Sequence, residues 1–163
     1  VTAADWGRQT DLSVVSVIRD DVSPLRLVAI HRMKHQPWQK SIGVFNELGT
    51  RYPGHAAHDA TGLGDVVAAY IDLPEDRVTD HVFTPQSKVD VYLEYEDALT
   101  KGVITLPRLR SLVGSHERLR RSDLFGSGHP PDEVCSLALG VYYSRGRHRA
   151  KSKSGRIPRA VSW

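Results

Sequence analysis

Three strand-like runs crowded between Val1 and Met33 constrain this chain more than any other feature. An apolar start ends at Asp5, LSVVSVI fills Leu12 to Ile18, and LRLVAIHRM fills Leu25 to Met33. Their β-branched residues favour extended backbone. WGRQTD after the first run, and Asp20, Asp21, Ser23 and Pro24 after the second, are turn formers. Strands joined by such turns form an antiparallel meander.

Beyond Pro37 the period changes. Trp38, Ile42, Phe45 and Leu48 recur at helical spacing, with Gly49 as the expected stop. A short strand then ends at Asp59, and GLGDVVAAYIDL predicts a helix with Val66, Val67, Tyr70 and Ile71 on one face. VTDHVFTP reads as a strand, and QSKVDVYLEYEDALTKG as a helix with Val89, Tyr92, Leu93 and Leu99 inward. VITLP is a last short strand, LPRLRSLVGSHERLRR is helical, and DEVCSLALGVYY is an apolar helix. Strands first, then alternating helices and strands, predict an α/β fold: a three-strand antiparallel meander plus parallel strands in one mixed sheet, with helices on both faces.

At 163 residues the chain fits one domain. No apolar run approaches the roughly 20 residues of a membrane-spanning helix, and no signal peptide is visible; with Val in first place the sequence reads as a fragment of a larger protein. The single cysteine, Cys135, reads as a buried structural thiol rather than a nucleophile and suggests a reducing, cytoplasmic setting.

Charge is unevenly distributed. Residues 144–163 hold seven of the 22 Lys and Arg and no acid, which leaves 15 bases against 19 acids in residues 1–143. The division is therefore a mildly acidic folded body over 1–143 and a basic C-terminal tail over 144–163. The tail reads either as a solvated, disordered terminus or as an arm that neutralises phosphates.

Three aspartates fall where apolar segments meet polar or Gly-rich turns: Asp5, Asp59 in HAAHDATGLGD, and Asp132 in HPPDEVCSLALGVYY. In open mixed sheets ligands gather beyond the carboxyl ends of parallel strands, and Asp5 and Asp59 end such strands. Asp132 opens the last helix after Pro130 and Pro131. Singly, each has a structural reading: turn acid for Asp5, Asx-turn residue for Asp59, N-cap or first-turn acid for Asp132. Together they suggest a metal site built from distant parts of the chain.

Other polar residues point elsewhere. His58 precedes Asp59 and by strand alternation faces the opposite side. His55, His81, His116 and His129 lack zinc spacing. GLGD at 62–65 lacks the Lys-Ser/Thr ending of a nucleotide phosphate loop, and no ATPase motif is present. Lys88 lies at a helix start, either near a phosphate or simply exposed. Asp65, Glu94, Glu96 and Asp97 read as solvated helix charges, and Arg118, Arg120 and Arg121 as a surface run that could touch DNA.

AADWGRQTDLSVV, HDATGLGDVV, the helix containing Lys88 followed by LTKGVITLP, and HPPDEVCSLALGVY together resemble the nuclease domain of tailed-phage terminase large subunits, which is RNase H-like. The resemblance spans nearly the whole chain in the family's order. It implies a metal-dependent endonuclease that cleaves concatemeric double-stranded viral DNA during genome packaging, with Asp5, Asp59 and Asp132 as catalytic metal ligands and two Mg²⁺ or Mn²⁺ ions as cofactors. Relatives often carry additional acids around the last motif, and the part played by Glu133 and Ser136 stays open.

The chemistry fits those residue types. Hard divalent ions take oxygen ligands, and two of them about 3.5–4 Å apart activate water on one side and stabilise the leaving oxygen on the other. The implied partners are DNA, an ATPase motor domain upstream, the portal and the small terminase subunit, in the host cytoplasm at the procapsid portal. No membrane is involved, and the isolated fragment is expected to be monomeric. A Holliday-junction resolvase or transposase-like nuclease would use the same acids, and a catalytically silent DNA-binding or assembly module is the non-enzyme alternative.

Overall fold

A computed structural model of the chain describes residues 1–7, 12–62, 64–125 and 128–146. The meander forms as expected: β1 (Thr2–Asp5) pairs antiparallel with β2 (Leu12–Arg19), and β2 pairs antiparallel with β3 (Leu25–Lys34). Helix α1 (Trp38–Arg51) leads to β4 (Ala56–Asp59), which lies parallel to β1. The short α2 (Gly64–Ala68) and a 3-10 turn at Glu75–Arg77 precede β5 (Val78–His81), parallel to β4. Then follow α3 (Pro85–Thr100), β6 (Ile104–Thr105), α4 (Arg110–Arg118), α5 (Arg121–Phe125) and α6 (Asp132–Ser144). The six-stranded sheet has the order β5-β4-β1-β2-β3-β6.

The sheet buries both faces. Ala4, Val15, Val17 and Ala56 pack against Ile42, Phe45 and Leu48 of α1. On the other face Ala3, Ala57, Ile18 and Leu25 meet α6 and α3. Helix α6 is buried on nearly every side, and small residues let it approach the sheet closely. A Cβ at Gly140 would lie 2.8 Å from Ile18 Cδ1 and 3.4 Å from Ala3 Cβ. Ser136 donates to the Ala3 carbonyl at 3.1 Å and receives the Ser16 hydroxyl at 2.7 Å, which leaves no buried hydroxyl of that pair unsatisfied. Gly140→Val overpacks this seam; a loss of about 1–3 kcal/mol is expected in urea unfolding.

Several local expectations need correction. Gly49 does not end α1; the helix continues to Arg51, and Gly49 instead admits Leu73, whose Cδ1 would sit 2.5 Å from an added Cβ. The helix predicted over GLGDVVAAYIDL is only α2, with Val67 buried and Val66 and Tyr70 each 50% exposed. On α3 the inward face is Val91, Tyr92, Glu94, Tyr95 and Ala98, whereas Leu93 and Leu99 are exposed. The reason is a polar anchor inside the apolar stripe. Glu94 is buried because it pairs with Arg145 at 2.9 Å, so it is not a solvated charge, and the part-exposed Asp97 holds the same guanidinium at 2.9 Å. Arg145, counted above with the basic tail, is thereby tied to the folded body; residues 147–163 lie outside the described residues.

Candidate metal centre

Strand alternation and register place the first two carboxylates. Ala3 and Ala57 face α6 while Ala4 and Ala56 face α1, so Asp5 and Asp59, two residues on, leave the sheet on the α6 side. The parallel register pairs Thr2 with Ala56, Ala3 with Ala57 and Ala4 with His58. Asp5 and Asp59 take the next step on adjacent strands, which run about 4.8 Å apart. Asp132, the first residue of α6, is held over them because its Oδ2 accepts the Leu12 N–H at 3.0 Å from the start of β2. All three carboxylates line one open cleft of about 600 Å³.

The surrounding bonds set what each acid can do. Asp59 Oδ1 accepts the Thr61 N–H at 2.7 Å, an Asx turn that aims the carboxylate. Asp132 does not cap its own helix; Pro131 stands at the N-cap with no side-chain hydrogen bond, so the acid acts across to β2. Lys88 also lines the cleft, its Nζ donating to the Gly128 carbonyl at 2.9 Å. Glu133 turns away from the three aspartates. It is buried against Arg32 of β3 and Ser115 of α4, both of which donate to it.

The wall of the cleft senses the acids. Tyr92 donates to Cys135 Sγ at 2.9 Å, and the thiol points to the Pro130 carbonyl at 3.6 Å. Burial above all, and then the charges of Asp5, Asp132 and Asp59, push the Cys135 thiol well above its usual range. The Tyr92 hydroxyl is raised in the same way, by burial first and with Asp5 and Asp59 contributing. A thiol held protonated in this way fits a structural residue of the cleft wall.

Hard oxygen donors of this kind suit a hard divalent ion. Among the described residues no group of three or more His, Cys, Asp and Glu side chains is drawn close enough to hold an ion unaided. That openness does not fit a closed tetrahedral zinc site. Carboxylates that line an open cleft fit a divalent ion that keeps waters and substrate oxygens in its shell.

No protein-family profile matches the sequence, and no curated protein matches it. The architecture, however, has solved counterparts. The large terminase nuclease from thermophilic phage G20c superposes with a TM-score of 0.70 at 21% identity, over 85% of this chain and 78% of that one. Its magnesium-bound form gives 0.70 at 21% identity over 86% and 78%, and its cobalt-bound form 0.68 at 26% over 86% and 78%. The fold is that of a phage large-terminase nuclease domain.

In this fold several further residues have a place beside the site. Trp6, Phe83, Tyr92 and His129 join the three aspartates in the cleft lining. Adjacency to Asp5 was the one signal for Trp6; Tyr92 reads simply as core. His58 is fully buried on the opposite face, as alternation predicts. Trp6 donates its indole N–H to His58 Nδ1 at 3.2 Å, which leaves the ring proton on Nε2, facing Asp80 at 2.8 Å. Its role is to tie the strand ends that carry Asp5 and Asp59. Helically, no segment among the described residues is long and apolar enough to cross a membrane.

Proposed function

We propose that this chain is a metal-dependent endonuclease that cuts concatemeric double-stranded viral DNA during genome packaging, as the nuclease part of a terminase large subunit. The observation that carries this reading is the meeting of Asp5, Asp59 and Asp132, from two parallel strand ends and one helix start, in a single cleft of a fold shared with a terminase nuclease known in zinc-, magnesium- and cobalt-bound forms. β1, which carries Asp5, runs between β4, which carries Asp59, and β2, whose Leu12 amide holds Asp132, and these three carboxylates would hold the metal. A pair of Mg²⁺ or Mn²⁺ ions bound there would supply an activated water and stabilise the leaving 3′ oxygen.

The chain's own groups do the rest. The carboxylates fix where cations and phosphate meet, and the Leu12 amide and the Thr61 turn keep two of them aimed. Lys88 sits where its ammonium offsets phosphate charge. Tyr92, Phe83 and Cys135 form a wall that limits water on one side. The upstream motor, the portal and the small subunit are the partners this reading calls for, at the procapsid portal in the host cytoplasm.

Plasmid digestion tests it directly. Nicking is expected with Mg²⁺ or Mn²⁺, none with EDTA, and none from Asp59→Ala under any condition. Cutting that persists in EDTA or in Asp59→Ala sinks the reading, and preference for a four-way junction over linear duplex would replace it with a resolvase.

A further inference from the structure

Residues 108–121 hold five of the 15 bases of residues 1–143, Arg108, Arg110, Arg118, Arg120 and Arg121, and only one of the 19 acids, Glu117. The rest of that body therefore carries ten bases against 18 acids. All five arginines are exposed: Arg110 and Arg118 on α4, Arg121 on α5, and Arg108 and Arg120 in the flanking turns. A charge run on a helix is commonly a solvated face, but this one has a specific position. A second cleft of about 580 Å³, lined by Ser111, Ser115 and Arg118 of α4 together with Arg32, Asp123 and Glu133, also contains His129 and Asp132. Those last two residues line the three-aspartate cleft as well. The two clefts therefore meet at these residues, beside the start of α6.

From this juxtaposition we infer that the arginine face of α4 and α5 is the seat of the DNA backbone, feeding a strand past Asp132 into the metal cleft. The inference rests on the nuclease reading and deepens it by naming where duplex DNA is held. Electrostatics requires some such surface. A cleft lined by three carboxylates repels phosphate, and so does an acidic body, so attachment has to come from a flank of opposite charge. Arg32 is neutralised by the buried Glu133; Arg118 remains as the exposed arginine of the groove lining, and Arg120 and Arg121 follow it in the chain as exposed residues. Guanidinium groups on a helix edge suit phosphate oxygens regardless of sequence, so the seat fixes register on the duplex without selecting bases.

The test is fluorescence anisotropy of the whole chain with a labelled blunt duplex in EDTA across a salt series. Three variants are compared with the unaltered protein: Arg118→Ala/Arg120→Ala/Arg121→Ala, the same three positions changed to Lys, and a charge-matched control, Arg26→Ala/Lys40→Ala/Arg51→Ala, on exposed sites elsewhere. The alanine triple is expected to weaken binding by about tenfold or more at roughly 50 mM salt and to lower the log–log salt slope by about two to three. The lysine triple keeps the slope, and the control loses less than half as much. A twofold or smaller change in the alanine triple, an equal loss in the control, or an equal loss in the lysine triple overturns the assignment. The first of these outcomes would leave the face to a protein partner. Because binding is read without metal, it stands apart from cleavage. Mn²⁺-dependent nicking by the same preparations tests the nuclease reading separately, so either can fail alone.

Discussion

Asp5→Asn is expected to lower DNA cleavage by about three orders of magnitude or more while leaving the chain folded, because a lost metal ligand removes several kcal/mol of transition-state stabilisation. The substitution is nearly isosteric. Asp5 is the last residue of β1, held in register opposite Val14 by backbone pairing that does not involve the carboxylate. The sheet therefore has no reason to rearrange. What changes is the charge at the point where β1, β4 and the start of α6 meet.

Stability separates the metal role from a packing role. Three carboxylates at one cleft repel one another in the absence of cations, so metal-free Asp5→Asn unfolds at the same denaturant concentration as the unaltered chain or at a higher one. Added Mn²⁺ is expected to stabilise the unaltered protein by mass action, by about 2.7 kcal/mol when the ion is at 100 times its dissociation constant. The variant gains little. Circular dichroism melts with and without Mn²⁺, run beside plasmid nicking, read both effects. Retained cleavage, or an equal Mn²⁺ shift in the variant, removes Asp5 from the metal centre.

The parts of this architecture that were legible are those written in local chemistry. LSVVSVI and LRLVAIHRM could hardly be other than strands, and the turn formers between them give the meander; the apolar DEVCSLALGVYY could only be a buried helix. His58 was placed on the correct face by the two-residue period alone. What stayed hidden depends on pairs far apart in sequence. Nothing around Glu94 announces that Arg145, 51 residues later, will neutralise it and turn the inward face of α3. Likewise, Glu133 looks like a second acid for the site until Arg32, 101 residues earlier, is seen to hold it. The hydrogen bond that hangs Asp132 over the sheet comes from the Leu12 amide, a backbone group that carries no side-chain signature. In the GLGDVVAAYIDL segment Val66 and Tyr70 are exposed, and Leu73 reaches the core beside Gly49 from beyond the end of α2; within α2 Val67 is the buried apolar anchor, and one anchor does not sustain three turns.

Phe45→Ala should be the most damaging single change to stability, at about 3–5 kcal/mol, a large share of the roughly 5–15 kcal/mol available to a domain of this kind. Phe45 is fully buried at the centre of the α1 side of the core. Its ring lies edge-on to Trp6 at 5.7 Å and to His58 at 6.1 Å. Those two side chains are immediate neighbours of Asp5 and Asp59, and the Trp6–His58 hydrogen bond spans the strand ends that carry the acids. Removing the ring opens a cavity behind that bond, not within the cleft. The expected signature is therefore double: a large fall in the urea midpoint, and a change in Trp6 emission under conditions where the chain is still folded. Phe45→Leu keeps most of the volume and should lose less than about 1.5 kcal/mol. A loss below about 1 kcal/mol in Phe45→Ala would mean that α1 collapses onto the sheet without strain, and that the packing behind Trp6 and His58 does not set the spacing of the two carboxylates in front.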